Sequence, residues 1–130
     1  MPELPGGRET VLFADDEEEL RNMGKLFLEH LGYTVIIATN GEEALAIYTG
    51  RKNEIDLVIM DMTMPKMTGR TACKKMLELN ARAKVILVSG YTSEGEPTDL
   101  MKEGVCDFLA KPYTILPFAK VIRSVLDRPA

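Results

Sequence analysis

Ile55-Asp56-Leu57-Val58-Ile59-Met60-Asp61 decides the fold class: an almost unbroken apolar run that stops at a carboxylate. A strand with one wet face alternates apolar and polar side chains, whereas a strand covered on both faces is apolar nearly throughout. Four further runs lie outward from it, at Thr10–Ala14, Thr34–Ala38, Lys84–Val88 and Cys106–Ala110. Most are continuous and enriched in Val, Ile and Phe, as buried strands are.

Between the runs, apolar residues recur at spacings of three and four, the period of a helix face. Leu20, Met23, Phe27 and Leu31 form the first such face, with Gly32 at its stop. The second opens on Asn40-Gly41-Glu42-Glu43, a capping residue with an acid three positions on, and presents Ala44, Leu45 and Tyr48. The third runs from about Thr68 to Leu79, with Ala72, Cys73, Met76 and Leu79 inward. A short fourth helix is expected over Pro97–Lys102, before Gly104. The fifth runs from about Ile115 to Leu126, capped by Thr114, with Phe118, Val121, Ile122 and Val125 inward. Strict alternation of strand and helix implies parallel strands joined by right-handed crossovers. The fold class is therefore α/β, a single doubly wound five-stranded parallel sheet with five helices. Residues 1–9, rich in Pro and Gly, are expected to be a flexible tail or linker, followed by one domain over 10–127 and a short end at 128–130.

Open parallel sheets place their sites beyond the carboxyl ends of the strands. Here the first run ends in Asp15-Asp16, the third in Asp61, the fourth in Ser89 and the fifth in Lys111-Pro112. Each residue has a plainer role available: an Asp between strand and helix is commonly a cap, Asp61 and Ser89 suit turns, and a lysine is commonly solvated. Four such strand ends meeting along one sheet edge are not explained by caps. Carboxylates within ~4–6 Å raise one another's pKa unless a cation joins them. An all-oxygen donor set selects a hard ion such as Mg²⁺, with Mn²⁺ as a substitute, and Lys111 adds a further positive charge. A carboxylate is a competent nucleophile towards phosphorus, and phosphoryl transfer asks mainly for in-line positioning and cations on the equatorial oxygens.

Other chemistries are disfavoured. The net charge is −4 and the pI about 5.1, without the basic stripe of a nucleic-acid binder. Cys73 and Cys106 match no metal spacing and suit a reducing compartment, and His30 is the only histidine. No signal peptide or membrane-length apolar run is visible, so a cytoplasmic chain without membrane contact is expected.

Val11-Leu-Phe-Ala-Asp15-Asp16-Glu17, Leu57-Val-Ile-Met-Asp61-Met-Thr-Met-Pro65-Lys-Met-Thr-Gly69, Val85-Ile-Leu-Val-Ser89-Gly90 and Phe108-Leu-Ala-Lys111-Pro112, in that order, resemble the response-regulator receiver family of two-component systems. The resemblance spans about residues 10–127. It implies strand order 2-1-3-4-5 and a phosphoacceptor at Asp61, fed by a histidine kinase or a histidine phosphotransfer protein. It implies a metal site of Asp15 (mainly through metal-bound water), Asp16, Asp61 and the Thr63 backbone carbonyl. Ser89, Gly90 and Lys111 would bind the phosphoryl group, Ser89 and Phe108 would form a conformational switch, and Thr63 and Tyr91 would tune hydrolysis. Pro112 would follow a cis bond. A downstream partner would dock on the fourth helix, fifth strand and fifth helix, with the domain a monomer or a phosphorylation-dependent dimer. Such a domain accepts and slowly loses phosphate and is not a turnover enzyme. The Gly6-Gly7-Arg8-Glu9-Thr10 lead-in and Ser89-Gly90-Tyr91 look like receivers at the end of hybrid sensor histidine kinases.

Two other readings stay open on the residues alone. One is a non-phosphorylated binding module on the same fold, although degenerate receivers usually lose the acidic pair, the nucleophile or the lysine. The other is a hydrolase of the haloacid dehalogenase type, which needs a second Asp where this chain has Thr63.

Overall fold

The structure, a computed structural model, describes residues 4–89 and 104–129. Five strands form one sheet: β1 (Thr10–Ala14), β2 (Thr34–Ala38), β3 (Leu57–Asp61), β4 (Val85–Ser89) and β5 (Asp107–Ala110). Their order is β2-β1-β3-β4-β5, and every pairing is parallel. The described helices are α1 (Glu18–His30), α2 (Gly41–Arg51), α3 (Gly69–Leu79) and α4 (Ile115–Leu126). The fourth helix expected from sequence over Pro97–Lys102, with Gly90 and Tyr91, lies outside the described residues, so α4 corresponds to the fifth helical pattern.

The unbroken apolar runs have a simple origin. Successive strand side chains point to opposite faces, and here both faces are cores. Leu12, Ala14, Val58, Met60, Val85 and Leu87 join α2 and α3 on one side. Val11, Phe13, Leu57, Ile59, Ile86 and Val88 join α1 and α4 on the other. Phe118 anchors the second layer, with edge-on rings from Phe13 and Phe27 at 6.3 and 5.8 Å and Tyr113 stacked on it at 5.1 Å. Aromatic pairs of this kind add about 0.5–1.5 kcal/mol beyond the area they bury.

Several boundaries move. β3 starts at Leu57, and just before it Asp56 meets Thr10 twice, its N–H donating to the Thr10 carbonyl and its carboxylate accepting the Thr10 N–H, both at 2.9 Å. The strand ends on Asp61, one residue later than the apolar run suggests. In α1 the deeply buried positions are Gly24 and Leu28, while Leu20, Met23 and Phe27 are only partly buried. Leu79, expected inward, is the last residue of α3 and is 44% exposed. Asn40 caps α2 by accepting the Glu43 N–H at 2.8 Å, and Glu43 reaches back to the Thr39 N–H at 3.0 Å. Thr114 stands at the N-cap of α4 but makes no side-chain cap bond.

Residues 4–9, expected as a flexible tail or linker, lie along the domain instead. Gly7 N–H donates to the Leu31 carbonyl at 3.1 Å, Thr34 N–H donates to the Glu9 carbonyl at 3.0 Å, and Leu4 packs against the second core layer. Arg123 on α4 donates to the Glu9 carboxylate at 2.7 and 3.1 Å and to the Gly6 carbonyl at 3.2 Å. A Cβ on Gly6 would stand 2.2 Å from the Leu31 carbonyl oxygen, so glycine is what permits this approach.

Candidate phosphoryl-transfer site

β1 and β3 are neighbours in register, with Ala14 opposite Met60. The carboxylates that follow them, Asp15 and Asp61, are therefore brought side by side at one edge. Both are buried, at 2% and 3% exposure, while Asp16 faces solvent. One carboxylate oxygen from each of Asp15, Asp16 and Asp61 lies within 4.8 Å of the other two. Lys111, just beyond β5, reaches across this edge. Its ammonium donates to Asp61 Oδ2 and stands 3.3 Å from Asp15 Oδ2.

The turn role and the site role turn out to be shared within each acid. Asp15 Oδ1 accepts the Glu17 N–H at 2.9 Å, two residues on. Asp61 Oδ1 accepts the Thr63 N–H at 3.0 Å and lies 3.3 Å from the Thr63 hydroxyl, which donates to it. Both are local side-chain turns of the kind Asp favours. In each case Oδ1 secures the turn and Oδ2 faces Lys111. Gly69, at the start of α3, lets the chain leaving β3 fold back closely: a Cβ there would meet the Asp61 carbonyl oxygen at 2.1 Å.

Charge follows from this packing. Burial pushes the Asp15 carboxyl above its ordinary value, and the Asp61 charge adds to that, against opposing help from the Glu17 N–H and Lys111. Burial by itself would lower the Lys111 ammonium, but the bond to Asp61 and the charges of both acids outweigh it and hold the group above its ordinary value. Three carboxylates face one ammonium, with the Arg21 guanidinium donating to the Asp15 carbonyl at 3.0 Å, so among the described residues the acids outnumber the cations at this edge. The donors are oxygens only, which suits Mg²⁺ or Mn²⁺, and among the described residues Asp15, Asp16 and Asp61 are side chains that could hold such an ion.

The remaining sequence candidates among the described residues are Ser89, Phe108 and Pro112. Ser89 ends β4, partly buried, and its carbonyl accepts the Lys111 N–H at 2.9 Å. Phe108 lies in β5 opposite Leu87, partly buried against the first core layer. The Lys111–Pro112 bond is cis. Gly90 and Tyr91 lie outside the described residues.

Tyr113 is absent from the candidates read in sequence. It is buried, its ring lies within 8° of parallel to Phe118, and its hydroxyl has no hydrogen-bond partner among the described residues. Burial, then the charges of Asp15 and Asp61, push this phenol upward. Its place two residues after Lys111 was the only available sign.

A parallel 2-1-3-4-5 sheet whose carboxyl edge gathers three acids and a lysine defines a class of phosphate-handling signalling domain. The chain belongs to the response regulator receiver domain family, whose model matches residues 11–123, and is a receiver domain of two-component systems. It is 34% identical over 122 residues to the sensor kinase CckA of Brucella abortus, covering 94% of this chain but 13% of that protein. It is 33% identical over 125 residues to the two-component response regulator 24 of Arabidopsis thaliana, covering 96% of this chain and 89% of that protein. A chain in the crystal structure of the CheX–CheY–BeF3–Mg²⁺ complex from Borrelia burgdorferi superposes with a TM-score of 0.87 at 30% identity, covering 92% of this chain and 90% of that one. Among the described residues no helix is long and apolar enough to cross a membrane.

Proposed function

We propose that Asp61 is the phosphoacceptor of this domain and takes its phosphoryl group from a phosphohistidine on a histidine kinase or a histidine phosphotransfer protein. The observation that carries this is Lys111 held between Asp61 and Asp15, with a third carboxylate within 4.8 Å. A carboxylate oxygen of Asp61 attacks phosphorus, the new O–P bond forms as the N–P bond to the donor imidazole breaks, and the imidazole nitrogen leaves with the electron pair. Thr63, through its N–H and hydroxyl on Oδ1, fixes the carboxylate so that the attack is in line. Lys111 neutralises charge on the transferred group. Asp15, Asp16 and Asp61, with the Thr63 carbonyl, would hold Mg²⁺, which supplies positive charge to the phosphoryl oxygens when bound.

Ser89 and Gly90 complete the phosphoryl-binding shell, and the Ser89 hydroxyl moves towards the new phosphate while Phe108 follows into the space vacated. That rearrangement changes the surface of β5 and α4, where a downstream protein would dock. Thr63 and Tyr91 set how quickly the phosphate is lost. The similarity to part of a sensor kinase supports a place in a hybrid kinase relay; the compartment of that relay in this reading is the cytoplasm.

Incubation with acetyl phosphate and Mg²⁺, followed by intact mass, tests this. The wild type should gain one phosphoryl group and Asp61→Asn none. A gain retained by Asp61→Asn would move the acceptor elsewhere. A wild type that gains nothing would favour the non-phosphorylated binding module.

A further inference from the structure

The three acids of the site are held unequally, although each brings one carboxylate oxygen within 4.8 Å of the other two. Asp61 is fixed by the Thr63 N–H and hydroxyl and by Lys111. Asp15 is fixed by the Glu17 N–H and by Lys111. The exposed Asp16 carboxylate has no hydrogen bond or ion pair among the described residues. Its place therefore depends on the backbone that carries it. Arg21, partly buried near the start of α1, donates from Nη1 to the Asp15 carbonyl at 3.0 Å. On its other side, Asp15 N–H donates to the Ala38 carbonyl at 3.2 Å. The Asp15 carbonyl and the Asp16 Cα belong to one rigid planar unit. A bond that stops this plane from turning also stops Asp16 from swinging off the edge. The helix dipole favours anions near this end, so it gives no reason for a cation here.

We infer that Arg21 is a positioning residue for the divalent ion: through the Asp15–Asp16 peptide it aims the Asp16 carboxylate at the place where Asp15 and Asp61 would hold that ion. This rests on the reading of the acidic edge as a Mg²⁺ site. The sign of the effect separates positioning from plain charge. A guanidinium beside three acids repels an arriving cation, so on charge alone its removal tightens Mg²⁺ binding. Positioning predicts weaker binding.

The test is a calorimetric Mg²⁺ titration of wild type, Arg21→Met, Asp16→Asn and the double variant. The rise of melting temperature with Mg²⁺ reads affinities too weak for the calorimeter. Arg21→Met should weaken Mg²⁺ about tenfold, the low end for losing a partner that orients a metal ligand. Arg21→Lys keeps the charge and a donor and should recover part of that loss. With Asp16→Asn already present, Arg21→Met should cost less than about twofold more, because the group it orients is no longer a carboxylate. An affinity unchanged or tightened in Arg21→Met would overturn the inference. So would an equal loss with and without Asp16→Asn, which would mean that Arg21 does not act through Asp16. Two controls keep the ideas apart. A wild type that binds no Mg²⁺ overturns the metal site and the Arg21 role together, whereas a wild type that binds Mg²⁺ beside an unchanged Arg21→Met overturns the Arg21 role alone.

Discussion

Lys111 and Arg123 each stand between two carboxylates, at opposite ends of the same sheet. Lys111 meets Asp61 and Asp15 where the strands end, with side-chain exposures of 13%, 4% and 2%. Arg123 meets Glu9 and Asp127, both at 2.7 Å, where the strands begin, with exposures of 25%, 29% and 64%. The guanidinium spends its donors fully, on both carboxylates and on the Gly6 carbonyl. Its planar fork suits that use. The lysine is a point charge between two buried acids with a third carboxylate close to them, so among the described residues its cluster has acids to spare. One cluster is closed by the protein and ties residues 4–9 to α4. The other is left open to ions from solution. Burial raises the price of that openness, because a buried unpaired charge is costly while an exposed pair contributes little either way.

The sharpest way to break the comparison is to remove each cation. Without metal, Lys111→Met leaves buried acids uncompensated and is expected to lower stability by about 3 kcal/mol, the range for breaking a buried pair. Millimolar Mg²⁺ should restore part of it. Arg123→Met should cost about 1 kcal/mol or less, should not respond to Mg²⁺, and should speed amide exchange over residues 4–9. Urea titrations with and without Mg²⁺ measure both. Equal losses with equal Mg²⁺ responses would erase the distinction.

A smaller effect of opposite sign is expected for Asp15→Asn. The amide oxygen can still accept the Glu17 N–H, while one of the crowded negative charges is gone. The metal-free melting temperature should rise. The rise given to wild type by Mg²⁺, which binds the native state alone, should shrink in the variant. A lower metal-free melting temperature for Asp15→Asn would mean that Lys111 already balances the cluster.

The smallest effect concerns pH. The bond from Arg123 lowers the Glu9 carboxyl from its ordinary 4.5 to about 2. A group depressed on folding contributes stability above its unfolded value and loses it as pH falls through the folded one. The stability gap between wild type and Arg123→Met should therefore narrow as pH drops from about 4.5 towards 2. A gap constant across that window in denaturant titrations would assign the Arg123 contribution to packing.

The strands were legible in sequence because each is buried on both faces, and that constraint writes itself into consecutive residues. Asp15, Asp61 and Lys111 were legible because each directly follows such a run. Leu28 and Gly24 were missed in α1 because a helix face is only a stripe and neighbouring stripes compete. The role of residues 4–9 was missed because Gly and Pro carry no period, and what holds them is an arginine more than a hundred positions away. Tyr113 was missed because an apolar ring after a strand looks like core, which its ring is.

Local order along the chain determined the alternating elements, the parallel sheet and the kinds of donor available at its edge, since periodicity and residue type are properties of short stretches. Tertiary structure alone decided which oxygens meet. Lys111 and Asp61 are 50 positions apart, and only the register of β1, β3, β4 and β5 sets an Oδ2 from each buried acid towards one ammonium. Such meetings depend on how two cores pack around the sheet, which no short stretch of sequence records.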